Sequence, residues 1–432
     1  MIPECKPGSH ISINGYILNY DDMKEPPQLL NRKMVHKHDV AIIGGGVVGC
    51  SVLFELTNRG FDCVLLEKNE SLVAEASCGN SGMLHTGFDA PLNSIELDCI
   101  RICQRRIFDV LGRLHLPCKK IGATMVAWKQ EELTGLSEIE VHARQCEVSD
   151  VVSLSMSQLY QREPHLSLGA YGALLIPAES VVDPWLMPVA FASHSKRKGA
   201  EIKTECLVTS CQQQSQYDWQ IETTSGIARA SCVINCAGLY GDIVDKLGGF
   251  QNFQILPRKG QYLVYEKRAN SLLNSSILPI PSQVGKGVII FRSVYDNVLV
   301  GPTSEEVKSR LLPAIDNDVA RRLTKHCDDT IPDLKNYQVV TQYAGVRPAT
   351  QTKDYIIKAD RNKSWITVGG IRSTGVSGCL GIAEKVHDLL TENIGLDPSR
   401  SLTAINSLNY RRIAHDYVVI DGAAYKITHP IT

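Results

Sequence analysis

The chain has 432 residues, a formal net charge of −1, and 44% hydrophobic and 21% charged residues. That length is more than one small core needs and predicts two closely joined domains, while near-neutral charge gives no electrostatic reason to expect nucleic acid or an anionic membrane as partner. No apolar run reaches the ~18 residues of a membrane span, and the 14 cysteines are scattered without a C-x-x-C pair, which predicts buried free thiols in a reducing compartment and no metal site.

Residues 1–38 carry Gly8, Pro26, Pro27 and mixed charges with little periodicity, and read as a flexible leader. They lack the apolar core of a signal peptide, and Asp21, Asp22 and Glu25 argue against a mitochondrial transit segment. The expected compartment is the cytoplasm, with a mitochondrial location as the alternative.

Residues 39–68, DVAIIGGGVVGCSVLFELTNRGFDCVLLEK, read as strand, glycine turn, helix, strand. In the G-x-G-x-x-G of Gly44, Gly46 and Gly49, the first glycine allows the tight turn. The second lets backbone approach a pyrophosphate, and the third lets helix and strand pack closely. Val47 and Val48 open the helix whose N-terminus faces the phosphates. Glu67, next to Lys68 and 18 residues past Gly49, is placed to accept from a ribose hydroxyl. An acid there favours an unphosphorylated ribose, hence FAD or NAD rather than NADP.

Residues 74–88, AEASCGNSGMLHTGF, form a small-residue loop suited to close backbone approach. A helix follows over 94–114, a strand over 122–128, a helix over 131–143, a strand over 174–176 and a helix from about 184 to 198. Residues 199–234 then read as three short strands. A β-meander inserted after a βαβ start is a flavoprotein habit rather than an NAD-dehydrogenase one, and with the Asn80–Gly87 loop and the Gly369–Gly378 turn it decides for FAD over NAD. Residues 233–242, VINCAGLYGD, give a second strand, small-residue turn and helix, and 255–302 are strand-rich. Residues 369–378, GGIRSTGVSG, open a last helix to about 393, and Asp421-Gly422 in the tail is a hairpin signal.

Four separated stretches carry a family resemblance: GGGVVG with Glu67, ASCGNSGMLHTG, INCAGLYGD, and AGVRP followed by GGIRSTG. Together they resemble the FAD-dependent oxidoreductases of the D-amino-acid oxidase/glycerol-3-phosphate dehydrogenase type. N-S-G-x-x-H-x-G (Asn80 to Gly87), P-R-K-G-x-Y (Pro257 to Tyr262), G-K-G-V (Gly285 to Val288) and V-G-P-T-S-E (Val300 to Glu305) are similar to one branch. That branch contains the anaerobic glycerol-3-phosphate dehydrogenase catalytic subunit and L-2-hydroxyglutarate dehydrogenase. The likeness spans about residues 38–392, without the cysteine-rich iron–sulfur segment in which the glycerol-phosphate members often continue.

The resemblance implies an α/β fold: a Rossmann-like FAD-binding domain with an inserted antiparallel-sheet substrate domain of α+β type. The expected FAD domain is 39–115, 173–250 and 340–395, the substrate domain 116–172 and 251–339, and the tail 396–432. By position, Gly44, Gly46, Gly49 and Glu67 would hold the ADP half. Ser77, Asn80 and Ser81 would contact pyrophosphate or flavin, Val208 the adenine, and Ala237 and Gly238 the pyrophosphate. Gly370, Ile371, Gly375 and Val376 would sit at the flavin's pyrimidine edge.

Oxidising a secondary alcohol needs a hydride acceptor, which the flavin supplies, and a base for the hydroxyl proton. His85, in the flavin loop, is the candidate base. Arg347 and Arg372 are the candidate anchors for an anionic substrate, since a planar guanidinium suits carboxylate or phosphate. Lys259 and Tyr262 line the expected substrate side. The leading expectation is an FAD-dependent dehydrogenase acting on a small anionic 2-hydroxy compound of the sn-glycerol 3-phosphate or L-2-hydroxyglutarate type. Its electron acceptor is a quinone, a carrier flavoprotein or oxygen. The alternatives are an amino-acid or N-methyl-amino-acid oxidase, and an FAD-bound scaffold without turnover.

Overall fold

In a computed structural model of the chain, residues 10–13, 16–19, 36–251, 253–281, 287–311 and 314–432 are described. Most of the expected leader lies outside them, as does the start of the G-K-G-V motif. Within the first unit, which ends at His36, His10–Ile13 and Tyr16–Asn19 pair as an antiparallel hairpin. The second unit, Lys37–Thr432, holds the two sheet systems that the resemblance implies.

The nucleotide-binding sheet runs Glu201–Lys203, Cys63–Leu66, Lys37–Ile43, Gly226–Asn235, all parallel, with registers such as Ala41↔Val64 and Val233↔Ala41. The ten-residue strand Gly226–Asn235 serves two neighbours on its far side. Its first half pairs with Asp218–Thr223, which pairs in turn with Val208–Ser215 to complete the meander, and its last residues pair in parallel with Trp365–Gly369. Lys37–Ile43 is buried on both faces, as a central parallel strand must be. Val40 and Ile42 pack with the helices Val47–Asn58, Ile95–Arg113, Leu186–Arg197 and Gly375–Asp388. Ala41 and Ile43 pack with Trp219 and Ile221 of the meander.

The second sheet has nine strands, antiparallel except where Ser276–Pro279 runs parallel to Ala123–Ala127. Two expected boundaries move. Gly172–Ile176 belongs to this sheet, paired with Ala123–Ala127, and so does Val339–Ala349, paired along Leu256–Tyr265. Both runs are apolar enough to enter either sheet, and only their long-range partners decide. A small sheet of Met83–Leu84, Ser180–Val182 and Cys118–Lys120 lies beside the flavin loop. The tail is a packed element rather than an appendage. It forms the meander Tyr410–Ala414, Tyr417–Ile420, Ala423–Lys426, whose Val418 and Ile420 join the main core. Asp421 and Gly422 both take positive φ, as the expected hairpin turn requires.

Thirteen cysteines are described, all free thiols and all but Cys118 buried. Burial pushes the Cys78 thiol up to about 12 and the Cys118 thiol up to about 11. Among the described residues no helix is long and apolar enough to cross a membrane.

Candidate active site

The glycine turn is shaped by backbone packing. Gly44 takes φ +108°, and a Cβ on it would lie 2.6 Å from the Cys236 carbonyl oxygen. A Cβ on Gly49 would lie 1.9 Å from the Gly44 carbonyl oxygen, so helix and strand could not close. Gly46 is the N-cap of Val47–Asn58 and brings no side chain to it. The Val47 amide donates instead to Ser77 Oγ at 3.0 Å, and the first-turn amides of Val48 and Gly49 are placed as an anion site.

Glu67 sits behind this turn. Its Oε2 accepts from the Gly45 amide at 2.6 Å, and its Oε1 from the amide and Nδ2 of Asn69, each at 2.8 Å. Burial pushes the carboxyl up against these hydrogen bonds. Lys68 pairs with Glu75 and lies 4.7 Å over the Tyr240 ring. Val208 begins the meander two residues after Cys206, whose amide donates to the Glu67 carbonyl at 2.8 Å. Ala237 and Gly238 follow Gly226–Asn235 beside Gly44. The expected ADP-side residues therefore converge at the carboxyl ends of the parallel strands, where open α/β sheets bind ligands.

The flavin loop is held from several sides. A Cβ on Gly79 would lie 2.3 Å from the Gly345 Cα, so the loop meets Val339–Ala349 backbone against backbone. Asn80 Oδ1 accepts from the Gly82 amide at 2.8 Å. The Asn80 carbonyl accepts from Tyr343 Oη at 3.2 Å and from His429 Nε2 at 2.8 Å. The His85 amide donates to Ser377 Oγ at 2.8 Å, in the first turn of Gly375–Asp388. That helix has no side-chain cap, and a Cβ on Gly375 would lie 3.5 Å from Val47 Cγ1. Two helix N-termini thus stand side by side, and Val376, Ile371 and Gly370 (φ +67°) line the approach. Paired N-termini suit a pyrophosphate and the electron-rich edge of a reduced flavin. The glycine cradle, the ribose-side acid and these donors fit FAD.

The substrate candidates do not all meet. In the antiparallel pair of Leu256–Tyr265 and Val339–Ala349, Tyr262 lies opposite Tyr343, Gly260 opposite Gly345 and Arg258 opposite Arg347. Strand alternation puts these six on one face. Tyr262 stacks on Tyr343 at 4.6 Å and is buried, and Tyr343 Oη in turn donates to the flavin loop at the Asn80 carbonyl. Lys259 therefore points to the opposite face, where its Nζ pairs with Asp316 at 2.9 Å. The expectation that Lys259 and Tyr262 share the substrate side is corrected by their odd, three-residue spacing along the strand.

The two arginines also part. Arg372 pairs with the buried Glu96 at 3.1 Å, a carboxylate that Thr374 also engages. Its charge is neutralised within the nucleotide-binding lobe. Arg347 donates to the Thr303 carbonyl at 3.3 and 3.4 Å, and among the described residues no carboxylate pairs with it.

His85 has a partner that sequence reasoning missed. Its Nδ1 lies 2.8 Å from Oε2 of Glu179, a residue with no solvent exposure. Glu179 stands alone in P-A-E-S with no motif around it. It reaches His85 because Ser180–Val182 pairs with Met83–Leu84, in the register Ser180↔Leu84. Tyr343 and His429 were missed as well, the second because it arrives from the last residues of the tail.

Residues 39–389 match the family model described as FAD dependent oxidoreductase, the DAO family. The chain belongs to that family and is an FAD-dependent oxidoreductase. It is 29% identical over 354 residues to a glycerol 3-phosphate dehydrogenase of Caloramator mitchellensis, covering 82% of this chain and 73% of that protein. It is 29% identical over 382 residues to a glycerol 3-phosphate oxidase of Mycoplasma genitalium, covering 85% of this chain and 99% of the other. An L-2-hydroxyglutarate dehydrogenase of Caenorhabditis elegans is 27% identical over 255 residues, 57% of this chain and 58% of its own length. Among solved structures, the dithionite-reduced, FAD-bound L-α-glycerophosphate oxidase of Mycoplasma pneumoniae matches with a TM-score of 0.79 at 26% identity, over 87% of this chain and 100% of that one.

Proposed function

We propose that the chain is an FAD-dependent dehydrogenase that oxidises the secondary alcohol of a small anionic 2-hydroxy compound, glycerol 3-phosphate, to a ketone. The observation that carries this reading is Arg347, a guanidinium two residues along its strand from the Gly345 contact with the flavin loop, with no carboxylate pairing among the described residues. Its fork offers charge-assisted hydrogen bonds to a phosphate. The long matches to two glycerol 3-phosphate enzymes support that anion over the shorter match to a hydroxyglutarate enzyme.

Bound FAD would supply the hydride acceptor. The protein's own part begins with Arg347, which would fix the phosphate and so orient the carbinol carbon. Tyr262, stacked on Tyr343 whose Oη donates to the Asn80 carbonyl, ties the strand pair that carries Arg347 to the flavin loop. His85 would take the hydroxyl proton as the carbon–oxygen bond becomes a carbonyl. The buried free thiols support a reducing, cytoplasmic setting.

The experiment is anaerobic exposure of the FAD-loaded protein to glycerol 3-phosphate, L-2-hydroxyglutarate and a set of amino and N-methyl-amino acids, followed by the visible flavin band. Glycerol 3-phosphate should bleach it fastest. Bleaching by amines alone would replace the reading with an amine oxidase, and no bleaching by any of them would leave a scaffold.

A further inference from the structure

We infer that Glu179 is a positioning residue for the reaction, holding His85 in the tautomer with its proton on Nδ1 and its lone pair on Nε2. The inference rests on the proposed role of His85 as base and goes one residue beyond it.

The donors around Glu179 decide the tautomer. Its Oε1 accepts two hydrogen bonds from one residue, the Thr86 amide at 2.7 Å and Thr86 Oγ1 at 2.9 Å. Its Oε2 faces His85 Nδ1 at 2.8 Å. In the proposed arrangement the carboxylate accepts, and the proton between Oε2 and Nδ1 belongs to the imidazole. In the neutral ring Nε2 is then the acceptor. The two ring nitrogens diverge, so Nε2 is turned away from the buried acid.

Both partners are fixed from behind. The Glu179 carbonyl accepts from the amides of Ile121 at 3.1 Å and Gly122 at 2.8 Å. The His85 amide is held by Ser377 and its carbonyl by Gln104 Nε2 at 2.7 Å. The Glu179 side chain has no exposure while the His85 side chain keeps 23%, so the acid is sealed off where the ring is not. Among the described residues His85 is the only ion-pair partner of Glu179.

The arrangement matters at the proton transfer. The alcohol O–H bond breaks and an Nε2–H bond forms. Bound FAD would take the carbinol hydrogen with its electron pair, leaving the carbon–oxygen bond as a carbonyl. The imidazolium formed at His85 keeps its Nδ1–H on Glu179, so its positive charge appears next to a fixed negative one. A purely structural role, stapling Thr86 to the 121–122 turn, would need neither the ionised oxygen nor the tautomer.

The test compares Glu179→Gln, Glu179→Asp, His85→Ala and the His85→Ala/Glu179→Gln double variant in FAD-loaded protein, with anaerobic reduction by glycerol 3-phosphate as readout. Glutamine keeps the Thr86 contacts but offers an N–H to Nδ1, which selects the wrong tautomer. Glu179→Gln should slow flavin reduction by about 10²–10⁴-fold, the range of general-base contributions, with substrate affinity and FAD content unchanged. The Asp variant should retain an intermediate rate, and the double variant should be no slower than His85→Ala alone. A slow His85→Ala beside a near-wild-type Glu179→Gln would overturn the inference. A wild-type rate in His85→Ala would instead remove the role proposed for His85. Should Glu179→Gln fail to fold, the ¹⁵N shifts of His85 in the wild-type protein still decide: a neutral ring protonated at Nδ1 supports the inference, and one protonated at Nε2 overturns it.

Discussion

His85 and Glu179 stand 94 residues apart in the chain and 2.8 Å apart in the fold. What joins them is a two-residue strand, Met83–Leu84, pairing with Ser180–Val182. The site is thus assembled by a short sheet between the flavin loop and a turn of the second sheet system. Arg347 and Tyr262 stand on the paired strands that meet the same loop through Gly345 and Tyr343.

Arg347 should govern substrate affinity. Arg347→Leu removes a charge-assisted pair of hydrogen bonds, worth about 1.5–3 kcal/mol each, and should raise the KM for glycerol 3-phosphate by at least about 10-fold while FAD content stays constant. Arg347→Lys keeps the charge but loses the fork and should fall between. Steady-state kinetics with an artificial acceptor reads both. Equal KM values in all three proteins would remove Arg347 from the substrate.

Gly345 should be required by the flavin loop. A Cβ there would lie 2.7 Å from the Gly79 Cα, and neither side can rotate away because both are backbone. Gly345→Ala should cost about 1–3 kcal/mol of stability, as overpacking does, and weaken FAD retention. Gly112→Ala, with nothing within 4 Å in an exposed helical position, should be neutral or stabilise by up to about 1 kcal/mol. Thermal melts with and without added FAD compare the two.

Acid should destabilise the protein through its buried histidines. Burial first, then Arg197 and Lys198, lowers His194 from 6.5 to about 4, and burial lowers His429 and His326 as well. The unfolded chain then binds more protons than the folded one below pH 6.5. Stability should be flat above that pH and fall as pH drops toward 4. His194→Gln, which keeps a polar group near Asn58, should flatten part of that slope. A melting temperature that declines equally in both proteins would assign the acid sensitivity elsewhere.

Much of this was legible in the sequence, where chemistry is local. The glycine turn, Glu67 and the loop of Asn80 to Gly87 are contiguous motifs whose residues must act together, and the structure brings them together. The Asp421-Gly422 turn was readable for the same reason. What failed was pairing. Residues 173–176 and 340–349 were assigned to the other domain because an apolar run does not name its partner. Lys259 was placed with Tyr262 because proximity in sequence outweighed alternation, which sends neighbours to opposite faces. Arg372 had no visible partner because Glu96 lies 276 residues away in the first turn of another helix. Glu179 carried no signal, since one acid in a turn becomes meaningful only when a strand pairing sets it against His85. The return of His429 to the Asn80 carbonyl was not readable, because nothing in the tail's pattern announces it.

The most direct test of the central claim is the anaerobic rate of flavin reduction by glycerol 3-phosphate against that by glycerol in the same FAD-loaded protein. An anion-anchored alcohol oxidation predicts rapid reduction by the phosphate ester and, at equal concentration, a rate with glycerol at least about 10-fold slower, since two charge-assisted hydrogen bonds are lost. Equal rates, or reduction by neither alongside reduction by an amino acid, would contradict it.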